Sequence, residues 1–222
     1  YGDDLAGELV EARAFVPCSR EDDIAAVAAE ALGLDELPAR AAEAPAVLPG
    51  SVSAYVKISD GCDRFCTYCT IPYIRGRYRS FPLDDVRAGV AAQVEAGARE
   101  IVLIAQDTGR WGADFEEPSS LARLLSALAE QFPQTWFRVM YIQPEGLTDE
   151  RLDAVAAHAN VCDYFDIPLQ HVDAGILRAM NRTGSREEFM ALVERVLAHV
   201  PGATLRTTLI AGFPGETDEQ FE

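Results

Sequence analysis

Apolar side chains along this chain follow two rhythms. Short runs rich in β-branched and aromatic residues, at 54–58, 100–105, 136–142, 164–169 and 203–211, read as strands. Between them, at 83–96, 121–131, 148–158 and 187–199, apolar positions recur every three or four residues, which marks one face of a helix. Such alternation predicts a parallel sheet with right-handed crossovers, since a helix must carry the chain back before the next strand starts. Five strands predict an α/β fold built as a partial parallel (β/α) barrel, with a flat doubly wound sheet as the alternative. In barrels the chemistry sits on the loops that follow the strands' C-terminal ends.

The first residues follow another plan. Residues 9–16 read as a short strand, Ser19 and Asp22 resemble an N-cap box, and 24–32 form an amphipathic helix stopped by Gly33. Residues 1–37 are therefore expected to be the C-terminal remnant of a smaller α/β domain. Residues 38–50, rich in proline and alanine and closing on Pro49-Gly50, are expected to be a linker. The main domain then runs over 51–222, and a helix starting after Thr217 makes the chain a fragment that ends within its fold.

With 49% hydrophobic residues the 222-residue chain has ordinary globular composition. No apolar run approaches the roughly 18–20 residues that span a bilayer. Tyr1-Gly2-Asp3-Asp4 lacks the basic start of a secretory signal, so a cytoplasmic protein without membrane contact is expected. The net charge of −17 opposes direct nucleic-acid binding, which needs a basic surface. Locally the balance reverses: Lys57, Arg64, Arg75, Arg77 and Arg79 crowd one stretch, as a positive rim for an anionic cofactor or acidic substrate would. Arg75 and Arg77 are candidate clamps for a carboxylate.

That stretch also holds Cys62, Cys66 and Cys69, three of five cysteines, directly after the first strand. Clustered thiols in a cytosolic chain point to metal or redox chemistry rather than disulfides. Cys18 and Cys162 stand alone and read as small buried apolar residues. Three thiolates at this C-x-x-x-C-x-x-C spacing can wrap one small inorganic group, and Gly61 permits close backbone approach. A four-iron cubane held by three cysteines keeps one iron without a protein ligand, which suits catalysis. The alternative, a zinc-stabilised binding module, needs a fourth ligand, for which His171 and Asp63 are the candidates.

The loop and its flanks, Lys57-Ile58-Ser59-Asp60-Gly61-Cys62 and Ile71-Pro72-Tyr73-Ile74-Arg75-Gly76-Arg77-Tyr78-Arg79-Ser80, resemble the radical S-adenosylmethionine (SAM) methylthiotransferase family. Ile104-Ala105-Gln106-Asp107-Thr108 and Asp166-Ile167-Pro168-Leu169-Gln170-His171 are similar to its branch that modifies an aspartate of a small-subunit ribosomal protein. The alternative branch modifies a tRNA adenosine, with asparagine at the place of Asp107. Gly212-Phe213-Pro214-Gly215-Glu216-Thr217 fits both branches.

The resemblance implies a transferase with a [4Fe-4S] cluster on Cys62, Cys66 and Cys69, SAM as cofactor, and a one-electron reductant. It also implies a second [4Fe-4S] cluster whose ligands are not in this chain, and a ribosomal protein substrate. Tyr68 is placed beside adenine, and Gln106, Asp107 and Thr108 near the methionine amine. Gln170 and Ile210 are placed near ribose and adenine, and Asp107 and His171 are the catalytic candidates.

Overall fold

The computed structural model describes residues 9–17, 20, 23–34 and 52–222. The expected linker, Cys18 and the Ser19–Asp22 cap lie outside them. The elements in chain order begin with α1 (Ile24–Leu32), β1 (Ser53–Lys57), β2 (Ser59–Asp60), α2 (Ile71–Arg75), β3 (Arg79–Ser80) and α3 (Leu83–Glu95). β4 (Glu100–Ile104), α4 (Leu121–Gln131), β5 (Trp136–Val139), α5 (Asp149–Ala157) and β6 (Tyr164–Asp166) follow. α6 (Ala174–Ala179), α7 (Arg186–His199), β7 (Thr204–Arg206) and α8 (Asp218–Phe221) complete them.

β1, β4 and β5 form a parallel sheet in that order, and β6 pairs in parallel with β7. A single parallel bridge, Phe137 to Val161, and the Ile142 amide donating to the Asp166 carbonyl at 3.0 Å carry the array from β5 to β6. The expected (β/α) order is therefore present, and the sequential strand order suits a partial barrel. Its strands are shorter than the apolar runs. The run at 136–142 stops at Val139 because Tyr141 takes a φ of +64°, and the run at 203–211 keeps only Thr204–Arg206. Backbone that turns out of the ladder at strand ends is what aims side chains at a site.

The registers place alternate residues on opposite faces. Val56, Ile101, Leu103, Phe137, Val139 and Phe165 are buried with Val86 and Val90 of α3, four leucines of α4, and Leu192 and Val196 of α7. The opposite face sets polar groups around a buried Val102: Arg138 pairs with Glu100 at 2.7 Å and lies 4.6 Å from the Tyr164 ring centre, and Ser53 donates to Glu100. Tyr55 on this face is 67% exposed. Among the described residues no helix is long and apolar enough to cross a membrane.

The expected strand at 9–16 is absent. The chain turns at Val10 and Glu11, with the Ala12 amide donating to the Leu9 carbonyl at 3.0 Å. Leu9, Val10 and Phe15 are all exposed, so the apolar run finds no partner strand among the described residues. The cap of α1 is also local: Asp23 occupies the N-cap, its carboxylate accepting from Arg20 Nε at 2.7 Å rather than from a helix amide, and Gly33 closes the helix at a φ of +68°.

α4 ends on carbonyls that one side chain gathers. The Asn160 amide nitrogen donates to Ala129, Phe132 and Thr135 carbonyls at 3.1–3.2 Å. Asn160→Ala should lower stability by about 2 kcal/mol, since buried carbonyls lose their donor. Chemical denaturation of the wild type and variant at neutral pH measures it.

A cysteine-lined cavity as the candidate active site

The cysteine loop starts where β2 hands over to Gly61. Gly61 has a φ of +73°, and a Cβ there would stand 2.1 Å from the Arg77 carbonyl oxygen. Only glycine lets the outgoing and returning strands of the loop meet. The return is sealed by the Cys62 amide donating to the Gly76 carbonyl at 3.1 Å and by antiparallel β2–β3 pairing. From below, α6 and its end hold the loop: the Thr67 amide and hydroxyl donate to Met180 and Ala179, and Asn181 donates to the carbonyls of Arg64 and Phe65.

These anchors put all three thiols on the lining of one cavity of about 330 Å³, at the C-terminal ends of the strands. Tyr68, Gln106, Gln143 and Arg182 share that lining. Among the described residues no three His, Cys, Asp or Glu side chains converge on a point that would hold one metal ion. Three thiols on one cavity lining are the donor set for a cluster that keeps one iron open. The zinc alternative loses both fourth-ligand candidates. Asp63 accepts from the Tyr78 amide and pairs with Arg77 and Arg110, and His171 is engaged elsewhere.

The electrostatics of the wall follow from burial. The Cys62 thiol is pushed up from its ordinary value by loss of hydration, and burial beside Cys66 pushes the Tyr68 hydroxyl up to about 12. Asp107 is raised by its burial, against the pull of Arg64, whose Nε donates to it at 2.8 Å. Three polar atoms of the lining have no protein partner: Gln106 Oε1, Gln143 Oε1 and Arg182 Nε. Arg182 is 9% exposed; it donates to the Pro168 carbonyl and has no carboxylate among the ion pairs of the described residues. Buried polar atoms left unpaired cost free energy until something pairs with them.

Of the residues singled out in the sequence, Cys62, Cys66, Cys69, Tyr68 and Gln106 meet in this cavity. Asp107 stands behind its wall, holding Arg64. Thr108 is fully buried and bridges the Met140 and Tyr141 carbonyls, tying β4 to β5. Gln170, at a φ of +73°, exchanges backbone hydrogen bonds with Thr208 and Ile210, and neither Gln170 nor Ile210 is on the lining. His171 is buried, with Nδ1 accepting from the Asp173 amide and Nε2 3.2 Å from Glu216. Since Nδ1 accepts, Nε2 carries the proton and donates to Glu216. Arg75 and Arg77, the candidate carboxylate clamps, stand off this lining and pair with Asp60 and Asp63. Cys162 is half-buried rather than buried.

Gln143, Tyr141 and Arg182 were not legible as site residues. Each reaches the cavity through a fold contact, and a lone arginine after α6 carries no sequence signal. A cleft of about 420 Å³ lies around Trp136 and Cys162, but it gathers none of the chemistry described above.

A cavity with three thiols after the first strand of a parallel β/α array defines a class, and comparison with known proteins agrees. The profile of the Radical SAM superfamily matches residues 56–222, and the chain belongs to that superfamily. Among curated relatives it is 38% identical to the ribosomal protein uS12 methylthiotransferase RimO of Natranaerobius thermophilus, over all of this chain and 52% of that protein. It is 47% identical to the RimO of Elusimicrobium minutum, over 77% of this chain and 40% of that one. The chain thus spans about half the length of such relatives or less. The solved methyltransferase TsrM of Kitasatospora setae shares the fold at 18% identity, with a TM-score of 0.61 over 76% of this chain and 32% of TsrM. SuiB of Streptococcus suis does so at 12% identity, with a TM-score of 0.56 over 90% of this chain and 46% of SuiB.

The His171–Glu216 contact predicts an acid limb. The His171 donor, then the Phe213 amide, hold the Glu216 carboxyl below its ordinary 4.5. A lowered carboxylate pKa contributes stability above 4.5 that is lost as pH falls through the folded value. Glu216→Ala should therefore be less stable at pH 7 and show a flatter loss of stability below about pH 4.5. Denaturation series at several pH values check both.

Proposed function

We propose that this chain is the radical-generating core of a methylthiotransferase that modifies the β-carbon of an aspartate in ribosomal protein uS12. The observation that carries it is three thiols on one cavity wall of a Radical SAM chain whose relatives, at 38–47% identity, are uS12 methylthiotransferases. Cys62, Cys66 and Cys69 would hold a [4Fe-4S] cluster. When bound, such a cluster with an open iron supplies the electron that splits SAM into methionine and a carbon radical able to take a substrate hydrogen.

The protein's own share is binding, orientation and water exclusion. Arg182, buried without a carboxylate, offers its guanidinium to the methionine carboxylate. The unpaired amide oxygens of Gln106 and Gln143 accept from the ammonium. The Tyr68 ring, 39% exposed on the lining, packs on adenine. Asp107 acts one step back, by fixing Arg64 in the wall. Gln170, His171 and Ile210 hold the ends of β6 and β7 in register, His171 through Glu216. A closed, shaped wall matters because a primary alkyl radical attacks whatever lies next to it.

Sulfur insertion would draw on a second cluster, and the described residues offer no second group of clustered cysteines. The reaction would need an external one-electron reductant and take place in the cytoplasm, where its ribosomal substrate is made.

Anaerobic reconstitution of the full natural chain should give a brown protein with broad absorption near ~400 nm that bleaches on reduction. Mass spectrometry of uS12 and tRNA incubated with it should find the added methylthio group on uS12. Changing any one of Cys62, Cys66 or Cys69 to alanine should abolish both chromophore and SAM cleavage; stoichiometric zinc without colour would refute the assignment. Tyr68→Ala should weaken SAM binding by about 1–3 kcal/mol, the scale of one stacked base, while Tyr68→Phe should leave it unchanged. Equilibrium binding of SAM to the reconstituted variants decides between ring and hydroxyl.

A further inference from the structure

Hollows run outward from the thiols in series. Arg64 and Arg182 line both the thiol cavity and a second hollow of about 360 Å³, which Asp63, Arg110 and Asn181 complete. Glu145 and Thr183 line that second hollow and also a third, of about 310 Å³. The third is lined by the buried apolar side chains of Pro144, Phe189 and Leu192, and by Glu188 and Arg195. Each hollow thus shares two residues with the next, from the cysteines to the start of α7.

The third hollow has a fixed shape. Gly184 takes a φ of +132°, and a Cβ there would stand 2.4 Å from the Phe189 ring, so glycine is what lets the ring pack against this backbone. Ser185 caps α7 by accepting from the Glu188 amide at 3.3 Å, which sets the first turn and leaves the Glu188 side chain exposed. Glu145 is held at the boundary: Oε1 accepts from the Thr183 hydroxyl at 3.0 Å and Oε2 from Arg64 at 3.1 Å. It is still 44% exposed, and each carboxylate oxygen can accept a further donor. Arg195 is occupied elsewhere, donating to the Leu147 carbonyl and pairing with Asp149 at 3.7 Å. Glu188 has no cation among the ion pairs of the described residues.

An apolar lining with two carboxylates suits one kind of side chain. A lysine or arginine lays its methylene stem on apolar surface while the charged head reaches for acceptors. We infer that the third hollow takes a basic residue of the peptide substrate, one that flanks the aspartate presented to the thiol cavity. The inference rests on the reading of that substrate as a ribosomal protein. A protein that binds RNA by neutralising its phosphates is basic, and a chain of net charge −17 attracts it. The cation-filled hollow would then select which aspartate is presented, since a carboxylate in the same place meets Glu145 and Glu188 and is repelled. RNA, the competing occupant, is repelled for the same reason.

The test uses the reconstituted full natural chain, its E188K and E188Q variants, and short labelled peptides. Each peptide has one central aspartate and either lysine or glutamate at one flanking position in turn. Fluorescence anisotropy reads affinity, mass spectrometry reads methylthiolation, and SAM cleavage is measured without peptide. At one flanking position the wild type should bind the lysine peptide at least about tenfold more tightly than the glutamate peptide. E188K should abolish or reverse that preference, and E188Q, which keeps the size of the side chain, should narrow it. The preference should fade near ~1 M salt, where the screening length is about 3 Å. SAM cleavage without peptide should be unchanged in both variants, because Glu188 stands off the thiol cavity. A wild type with no preference for lysine at any position overturns the inference, as does the same preference in E188K. So does tighter wild-type binding of a labelled single-stranded RNA than of every lysine peptide. A lysine preference that depends on Glu188, in a chain that adds no methylthio group to any peptide or to uS12, would sink the substrate assignment and leave the basic-residue pocket standing.

Discussion

One close backbone approach organises the site. The carbonyl of Arg77 occupies the space where any side chain at residue 61 would begin, so the loop can close only because residue 61 is glycine. That closure is what turns three cysteines spread over eight positions into three thiols on one wall. It also sets Arg79 opposite Asp60 and brings Arg77 to Asp63, so this placement of charges is a by-product of the same turn. α6 closes the arrangement from the other side through Thr67 and Asn181, which is why a helix more than a hundred residues downstream belongs to the loop's support.

The strand ends divide the remaining work. Thr108 is fully buried and has its hydroxyl on two carbonyls, which locks β4 to the end of β5 while Gln106, two residues earlier, stays on the cavity. Tyr141 and Gln170 both adopt a positive φ, a backbone state that non-glycine residues hold only when their surroundings determine it. Both positions lie where a strand leaves its ladder. The strain is the cost of aiming neighbouring side chains inward.

Charge is handled differently in the wall and on the rim. In the wall Asp107 is neutralised by Arg64, whereas Arg182 and two glutamine oxygens are left for something else to satisfy. On the rim Arg77, 80% exposed beside Asp63, stays hydrated, so its charge costs little and acts at a distance. The same few residues of chain thus carry a desolvated recognition site and a solvated charge.

The order of strands and helices, the cysteine triplet and Gly61 were readable from residue type and spacing, whereas Tyr68 and Gln106 were placed only by the family resemblance. The former depend on local rules: periodicity follows from which face is buried, and a compact metal loop from short spacing. The extent of the strands was not readable, because positive-φ turns at Tyr141 and Gln170 are imposed by packing, not by those residues' preferences. Nor was the strand at 9–16 avoidable on pattern alone; an apolar run becomes a strand only where a neighbour pairs with it. Arg182 and Gln143 enter the site, and His171 turns to Glu216 instead, through contacts between segments far apart in the chain. Sequence by itself determined the chemistry available, because thiols and a tight glycine turn work at short range. Tertiary structure alone decided which polar groups face the cavity unpaired, because burial and pairing belong to the packed chain as a whole.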